Sequence, residues 1–226
     1  MVNFAQKKAP KYLIKFIKED YLQYFLTQGL YMNAAAYYAV MEKHNKQADK
    51  YEGLATSSHL MYKNRNRPVW CCTAIKEDSI KSDAIKLDKR LFEDFFDNDL
   101  EKGYIVLFEY KSFIEYFLAN KDEYRSVYGC INYLPYKNFK NCFISDDWSD
   151  CIFRKDISYS YQTEFRISID KPCEEIVEEI EIEGKTYETL KSYKAYPFPL
   201  PNLSNISKVY KATELYYDGN DYFLRL

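Results

Sequence analysis

The stretch YIVLFEYKSFIEYFLAN, residues 104–120, joins two different hydrophobic patterns and decides the fold class. Its first half, residues 104–110, is a short run of aliphatic and aromatic residues, which predicts a buried strand. Its second half, residues 111–120, spaces apolar residues as one face of a helix does, which predicts a helix. A strand that leads directly into a helix indicates a fold containing both.

Strands and helices alternate on both sides of this stretch. Strands are predicted at residues 12–18, 30–33, 68–75, 126–133, 159–169 and 222–226, with a hairpin at 176–183 and 185–190. Helices are predicted at residues 19–28, 34–43, 87–96 and 204–213, and residues 44–66 are predicted as a loop. No regular βαβ repeat, G-x-G-x-x-G motif or Walker lysine loop occurs, which excludes Rossmann and P-loop folds. The pattern predicts one α+β domain over residues 1–226, with a mixed, largely antiparallel central sheet and flanking helices.

The composition excludes a disordered chain and a general polyanion-binding protein. Hydrophobic residues make up 47% of the 226 residues, and the formal net charge is −2. Tyrosine occurs 24 times and phenylalanine 15 times. Because a tyrosine ring is apolar and its hydroxyl is polar, such a chain suits a cleft for a flat ligand, although a low-GC genome also favours these codons.

Several features predict a cytoplasmic protein without a metal site. The first residues lack the apolar segment of a secretory signal, and no run approaches the ~20 apolar residues of a membrane span. The 6 cysteines form no C-x-x-C pair, which predicts thiols in a reducing compartment. With 2 histidines in the chain, a His-rich metal site is not expected. The aspartates around Trp148 are interpreted as a polar loop.

The segment YSYQTEFRISI, residues 159–169, could carry chemistry. Side chains alternate faces along a strand, so the core face is predicted to hold Phe165, Ile167 and Ile169. The opposite face is then predicted to hold Gln162, Glu164, Arg166 and Ser168. Such a polar row is ordinary on an exposed face, costly when buried without partners, and useful when it lines a cleft. There the Arg166 guanidinium could keep the Glu164 carboxylate ionised.

The spacing Gln162-x-Glu164 on a strand resembles the Q-x-E motif of mono-ADP-ribosyltransferases. The resemblance implies that NAD is the substrate and that Glu164 is the catalytic glutamate. In this reading, Glu164 binds a hydroxyl of the nicotinamide ribose and favours an oxocarbenium-like transition state electrostatically. Gln162 would contact the acceptor, and Arg166 would support the strand.

The other motifs of that family have less direct counterparts. Lys15 is the nearest match to the Arg or His of the first strand, where the family pattern is not kept. For the middle motif two alternatives stay open: the Thr-Ser-Ser triplet centred on Ser57, or Tyr31 and Tyr38 stacking on nicotinamide. Asn33, which lies in the same patch as Tyr31, and Arg166 complete the predicted NAD-binding set.

A second resemblance covers more of the chain in short patches. The patches at residues 30–38, 49–53, 161–166 and 202–206 are similar to a group of uncharacterised proteins of low-GC bacteria and their phages. Together the resemblances predict an NAD-dependent ADP-ribosyltransferase-like enzyme or toxin that modifies a protein or nucleic acid in bacteria–phage conflict. The alternative is a non-enzymatic inhibitor or sensor in phage defence. Residues 61–70 are basic and aromatic, and two interpretations stay open. They form either an exposed loop or a contact site, which would bind single-stranded nucleic acid or the NAD pyrophosphate.

Overall fold

The structure is a computed structural model that describes residues 9–40, 66–97, 99–121, 123–135, 152–182 and 185–226. The α-helices of this part are α1 (Glu19–Gln28), α2 (Ala35–Val40), α3 (Lys89–Phe96) and α4 (Tyr110–Asn120). The first eight strands are β1 (Tyr12–Lys18), β2 (Gly29–Ala34), β3 (Pro68–Ile75), β4 (Ile80–Lys81), β5 (Ala84–Asp88), β6 (Gly103–Glu109), β7 (Ser126–Cys130) and β8 (Asn132–Leu134). The remaining strands are β9 (Arg154–Asp156), β10 (Glu164–Ile169), β11 (Glu175–Ile182), β12 (Lys185–Tyr193), β13 (Tyr196–Pro199), β14 (Ser207–Lys211), β15 (Tyr216–Tyr217) and β16 (Asp221–Arg225).

The predicted bounds of β1, α1 and β3 are confirmed to the residue. Helix α1 ends at Gly29 because this residue has a φ of +116° and its backbone N–H donates to the carbonyl of Phe25. A Cβ added at Gly29 would lie 2.2 Å from the backbone nitrogen of Leu200. Only glycine fits both the left-handed backbone and this close approach.

The central sheet is antiparallel throughout, in the order β13-β2-β3-β1-β6-β14. Strand β10 pairs with β3, and β7 pairs with β10, so the sheet branches at β3. Among the described strands, the parallel pair is β8 with β9. The chain is therefore a mixed α+β protein with mostly antiparallel sheets, as predicted.

The branch at β3 leaves a gap in the sheet. Because β10 pairs with Val69 and Thr73 on one edge of β3, β1 and β2 must both pair along the other edge. Strand β1 reaches only to Thr73 and β2 only to Val69. The Lys15 ammonium enters the gap, where it donates to the carbonyl of Cys71 at 2.7 Å and lies 5.5 Å from the ring centre of Trp70.

Two apolar cores lie on the two faces of the central sheet. Neighbouring strand residues point to opposite faces, and Leu13 belongs to one core and Ile14 to the other. The first core holds α1 and α4, with the Trp70 ring stacked 5.4 Å from Phe113. The second holds α3 and the sheet β15-β16-β5-β4. Each fully buried phenylalanine of these cores contributes roughly 1.5–3 kcal/mol.

The predicted strand over residues 159–169 is wrong in its first half. Residues Ile157–Gln162 form a 3-10 helix, and the strand begins at Glu164. The Asp156 side chain accepts a hydrogen bond from the Ser158 backbone and starts the turn, and Thr163 ends it with a left-handed φ of 40°. Gln162 and Glu164 therefore do not share one strand.

The predicted final helix over residues 204–213 is also wrong. Residues Leu203–Ile206 form a 3-10 turn, and β14 follows. Strand β14 covers the edge of β6, with Val209 opposite Val106, so tertiary pairing overrides the local helical preference. Two smaller corrections concern the helix predicted over residues 87–96, which begins at Lys89, and the strand over 126–133, which is interrupted at Ile131.

The other predicted elements hold where the structure describes them. The hairpin is present as β11 and β12, and α2 covers the described part of the helix predicted at residues 34–43. Most of the loop predicted at residues 44–66 lies outside the described residues.

Candidate active site

Glu164 and Arg166 form a buried ion pair on one face of β10. The Arg166 Nε donates to Glu164 Oε1 at 2.6 Å and its Nη2 donates to Oε2 at 3.2 Å. A third donation, from Arg166 Nη1, goes to the carbonyl of Ile152. Relative exposure is 6% for Glu164 and 1% for Arg166. The sequence correctly placed the two side chains on one face, and the structure shows that this face is covered.

Lys155, on β9, is a second buried cation at the same carboxylate. Its Nζ donates to Glu164 Oε2 at 3.1 Å and to Gln162 Oε1 at 2.9 Å, and it lies 5.0 Å from the ring centre of Tyr159. Its relative exposure is 4%. Lys155 thereby brings Gln162, at the end of the 3-10 helix, onto the same network as Glu164.

The Gln162 amide connects this ion cluster to Asp94 on α3. Its Nε2 donates to Asp94 Oδ2 at 3.2 Å, while its Oε1 accepts from Lys155. Since an ammonium only donates and a carboxylate only accepts, these partners permit one orientation of the amide. Tyr161 also donates to Asp94, and the Arg90 guanidinium lies 4.0 Å from the Tyr161 ring centre. The cluster continues from β10 to α3 without an interruption.

The four buried charges of this cluster balance. Lys155 and Arg166 are cations, Glu164 and Asp94 are anions, and all four are buried. Burial alone raises the pKa of Glu164, but the attraction of Arg166 and Lys155 outweighs it and holds the pKa well below its usual range. Glu164 is therefore an ionised carboxylate at neutral pH. Because buried charges are stable only when paired, removing one partner of such a cluster costs about 3–5 kcal/mol.

Two tyrosine hydroxyls at the cluster stay protonated. Burial raises the pKa of Tyr133, whose hydroxyl oxygen accepts the Glu164 backbone N–H at 2.8 Å. Burial, followed by the hydrogen bond to Asp94, raises the pKa of Tyr161. Both hydroxyls therefore keep their protons across the physiological range.

A pocket of about 50 Å³ lies over Glu164, between the central sheet and α3. Its polar and thiol-bearing lining consists of Lys15, Cys71, Cys72, Thr73, Lys155, Gln162 and Glu164. Its apolar lining consists of Ile14, Phe16 and Phe95, and the two phenylalanine rings stack in parallel with centres 5.0 Å apart. The volume suffices for a few water molecules or for one polar group of a larger ligand. The ionised Glu164 carboxylate therefore lies across a small cavity from the stacked rings of Phe16 and Phe95.

The pocket brings together three of the predicted site residues. Gln162, Glu164 and Lys15 all line it, and Arg166 supports it from behind Glu164. Lys15, whose ammonium donates to the Cys71 carbonyl, lines the same pocket. The structure thus brings these residues together, and their functional roles stay a prediction.

Two predicted NAD-binding residues lie elsewhere. Tyr31 is 56% exposed on β2, where it pairs with Pro197 and lies near Tyr37. Asn33 pairs with Val69, which is two residues along β3 from Cys71 at the pocket, or roughly 7 Å at the usual rise per strand residue. Neither is in the pocket lining. The Tyr38 side chain and Ser57 lie outside the described residues, so the choice of middle motif stays a prediction.

Sequence reasoning missed Lys155 and Asp94. Asp94 could have been found, because an acidic residue three positions after Leu91 interrupts the apolar stripe of α3, and such a residue needs a buried partner. Lys155 lies between Arg154 and Asp156 in a charged triplet that resembles any surface segment. Nothing in its local pattern indicates burial.

Among the described residues, no group of His, Cys, Asp and Glu could hold a metal ion. No helix in this part of the chain is long and apolar enough to cross a membrane. A comparison with known proteins gives no match to any family model, curated protein or solved structure.

Proposed function

We propose that the pocket over Glu164 binds NAD and that the chain cleaves the bond between nicotinamide and ribose, as an ADP-ribosyltransferase-like enzyme. The observation that carries the proposal is an ionised, buried carboxylate that faces a pocket beside Gln162. Breaking the glycosidic bond releases neutral nicotinamide and leaves positive charge on the ribose. A fixed negative charge that accepts a hydrogen bond from a ribose hydroxyl stabilises that transition state.

The hydrogen bonds of Glu164 define how a substrate would enter. A carboxylate offers about four lone-pair positions. Arg166 uses two of them, Lys155 uses one, and the Cys71 thiol also donates. A thiol is the weakest of these donors, so a substrate hydroxyl would replace Cys71 and leave both cations in place.

The size of the pocket limits which part of NAD reaches Glu164. A volume of about 50 Å³ admits one ribose edge and excludes the complete dinucleotide. Gln162 cannot leave its two partners without exposing a buried cation and a buried anion. In this proposal Gln162 therefore positions Glu164 through Lys155, and the acceptor, a protein or nucleic acid, binds at the mouth of the pocket.

The biological setting belongs to the same proposal. ADP-ribosyl transfer to a protein or nucleic acid would suit a toxin or an effector in bacteria–phage conflict, as the resemblances imply. NAD and reducing thiol chemistry coexist in the cytoplasm, where we place the reaction. The cysteines Cys71, Cys72, Cys130 and Cys173 are thiols in the structure, which is compatible with that compartment.

The test is nicotinamide release from NAD, measured by chromatography with the wild-type chain and with Glu164→Gln. Wild type should release nicotinamide, with water as acceptor, and the variant should be about 100-fold slower or worse, as when one electrostatic group of an active site is lost. Glu101→Gln, on an exposed 3-10 turn, is the matched control and should keep full activity. Because Glu164→Gln removes a buried charge, it is assayed well below its own melting temperature, with folding checked by circular dichroism. Full activity in the folded variant would refute the mechanism.

A second candidate is a binding protein without turnover. It is favoured by the three cationic donations that Glu164 already receives, because these weaken the field that the carboxylate projects into the pocket. Calorimetric titration with NAD separates the two functions. Saturable binding without nicotinamide release would support the binding protein and exclude the enzyme.

A further inference from the structure

The hairpin of β11 and β12 is set apart from the central sheet. Its strands are 8 and 9 residues long, and no other described strand pairs with either of them. An isolated two-stranded hairpin is only marginally stable in water, and its outer edges carry unpaired backbone groups. Strand β12 contacts α2, and residues 175–181 of β11 are all exposed, which together favour the outer edge of β11 as the open edge.

Large apolar side chains are concentrated on this hairpin and exposed. They are Ile176, Val177, Ile180, Tyr187 and Leu190, with relative exposures between 36% and 52%. Ile180 lies directly opposite Tyr187, and Val177 lies opposite Leu190, so apolar pairs occur on both faces. Single exposed apolar residues are ordinary, but a group of them on one hairpin indicates a contact surface.

The charges on β11 define what the surface would contact. Glu179 and Glu181 lie on one face with Val177, and Glu178 lies on the other face with Ile180. Glu179 is directly opposite Glu188 on β12. Like charges at opposed positions destabilise a strand pair, so this hairpin keeps an unfavourable acidic pair at its exposed centre.

The same charges exclude a second copy of β11 as the occupant. If two β11 strands paired antiparallel about a centre near Glu178 or Glu179, glutamate would lie opposite glutamate. Moving the centre to Ile180 places Glu179 opposite Glu181, and moving it to Val177 places Glu175 opposite Glu179. Each of these registers places glutamate side chains opposite each other, so charge repulsion opposes self-association of this edge.

We propose that the outer edge of β11 binds an extended basic segment of a partner protein as a third strand. Backbone hydrogen bonds from the open edge would hold the segment, as in strand addition. Lysine or arginine side chains of the segment would lie beside Glu179 and Glu181, and apolar side chains on its other face would contact Ile176 and Ile180. The surface is distinct from the pocket over Glu164, so this proposal does not rest on NAD chemistry.

The probe is a fluorescent synthetic peptide that alternates lysine and valine, titrated with the full chain and followed by anisotropy. The wild-type chain should bind it saturably and should not bind a matched glutamate–valine peptide. Glu179→Lys with Glu181→Lys should weaken binding about tenfold or more, since two attractive contacts become repulsive. The substitution at Glu179 turns its repulsive pairing with Glu188 into an attractive one, so the hairpin is retained.

Two controls make the outcome decisive. Glu101→Lys with Glu115→Lys changes the net charge equally on exposed positions elsewhere and should leave binding unchanged. A lysine–valine peptide with alternate backbone amides N-methylated keeps its charge but cannot pair with a strand edge, and it should not bind. Equal loss in the two variants, unchanged binding in the hairpin variant, or full binding of the methylated peptide would each overturn the proposal.

Discussion

Replacing Glu164 by glutamine should destabilise the protein strongly, because it removes an anion that pairs two buried cations. The carboxylate accepts from Arg166 Nε and Nη2 and from Lys155 Nζ through two oxygens. An amide offers one oxygen, and its NH2 group would face a cationic donor in either orientation. An unpaired charge in a buried cluster costs about 3–5 kcal/mol. For a chain of this length, this corresponds to a fall of roughly 6–20 °C in melting temperature.

The assay is thermal and urea unfolding by circular dichroism, with Lys155→Met and the double variant measured beside Glu164→Gln. Because Lys155→Met removes one of the two cations that lose their shared partner in Glu164→Gln, the double variant should be less destabilised than the sum of the singles, by about 1–3 kcal/mol. Glu101→Gln is the exposed control. A melting temperature unchanged in Glu164→Gln would mean that the carboxylate is hydrated and that the buried cluster is not present.

The remaining predictions concern pH, backbone strain and the bridging amide. Because the pKa of Glu164 is depressed from 4.5, the stability it contributes is present above about pH 4.5 and is lost as pH falls, so acid titration should narrow the gap between wild type and Glu164→Gln. Gly29→Ala should cost about 3 kcal/mol in urea unfolding, since a left-handed backbone and a 2.2 Å approach both oppose a Cβ. Gly219→Ala, with a φ of +100° and nothing within 4 Å, should cost only about 1 kcal/mol. Gln162→Glu should lower the melting temperature, because it places a second carboxylate against Asp94.

The sequence predicted the elements whose signals are local. Helix α1 was bounded correctly because Glu19 and Asp20 mark its first turn and Gly29 can adopt a backbone that ends it. Strand β3 was bounded correctly because a run of eight residues that is apolar except for Thr73 is typical of a strand buried on both faces. These patterns involve residues that are close together in the sequence.

The errors arise where a distant partner decides the structure. Residues 207–211 form a strand because the edge of β6 is available to pair with them. The residues of this segment alone do not indicate that such an edge is available. Lys155 is buried because its ammonium donates hydrogen bonds to Gln162 and Glu164. Its neighbours in the sequence are ordinary polar residues. The sequence could therefore indicate the anion of the candidate site and one of its cations, Arg166, but not the second cation, Lys155.

The Gln162-x-Glu164 spacing led to a correct pairing through an incorrect geometry. On a regular strand, residues two apart share a face because the backbone repeats every two residues. Here Thr163 takes a left-handed conformation between a 3-10 helix and β10, yet both side chains reach the Lys155 ammonium. The turn places Gln162 outside the sheet, and its amide donates to Asp94 on α3. The motif thus ties the central sheet to a flanking helix, and any chemistry at Glu164 depends on that connection.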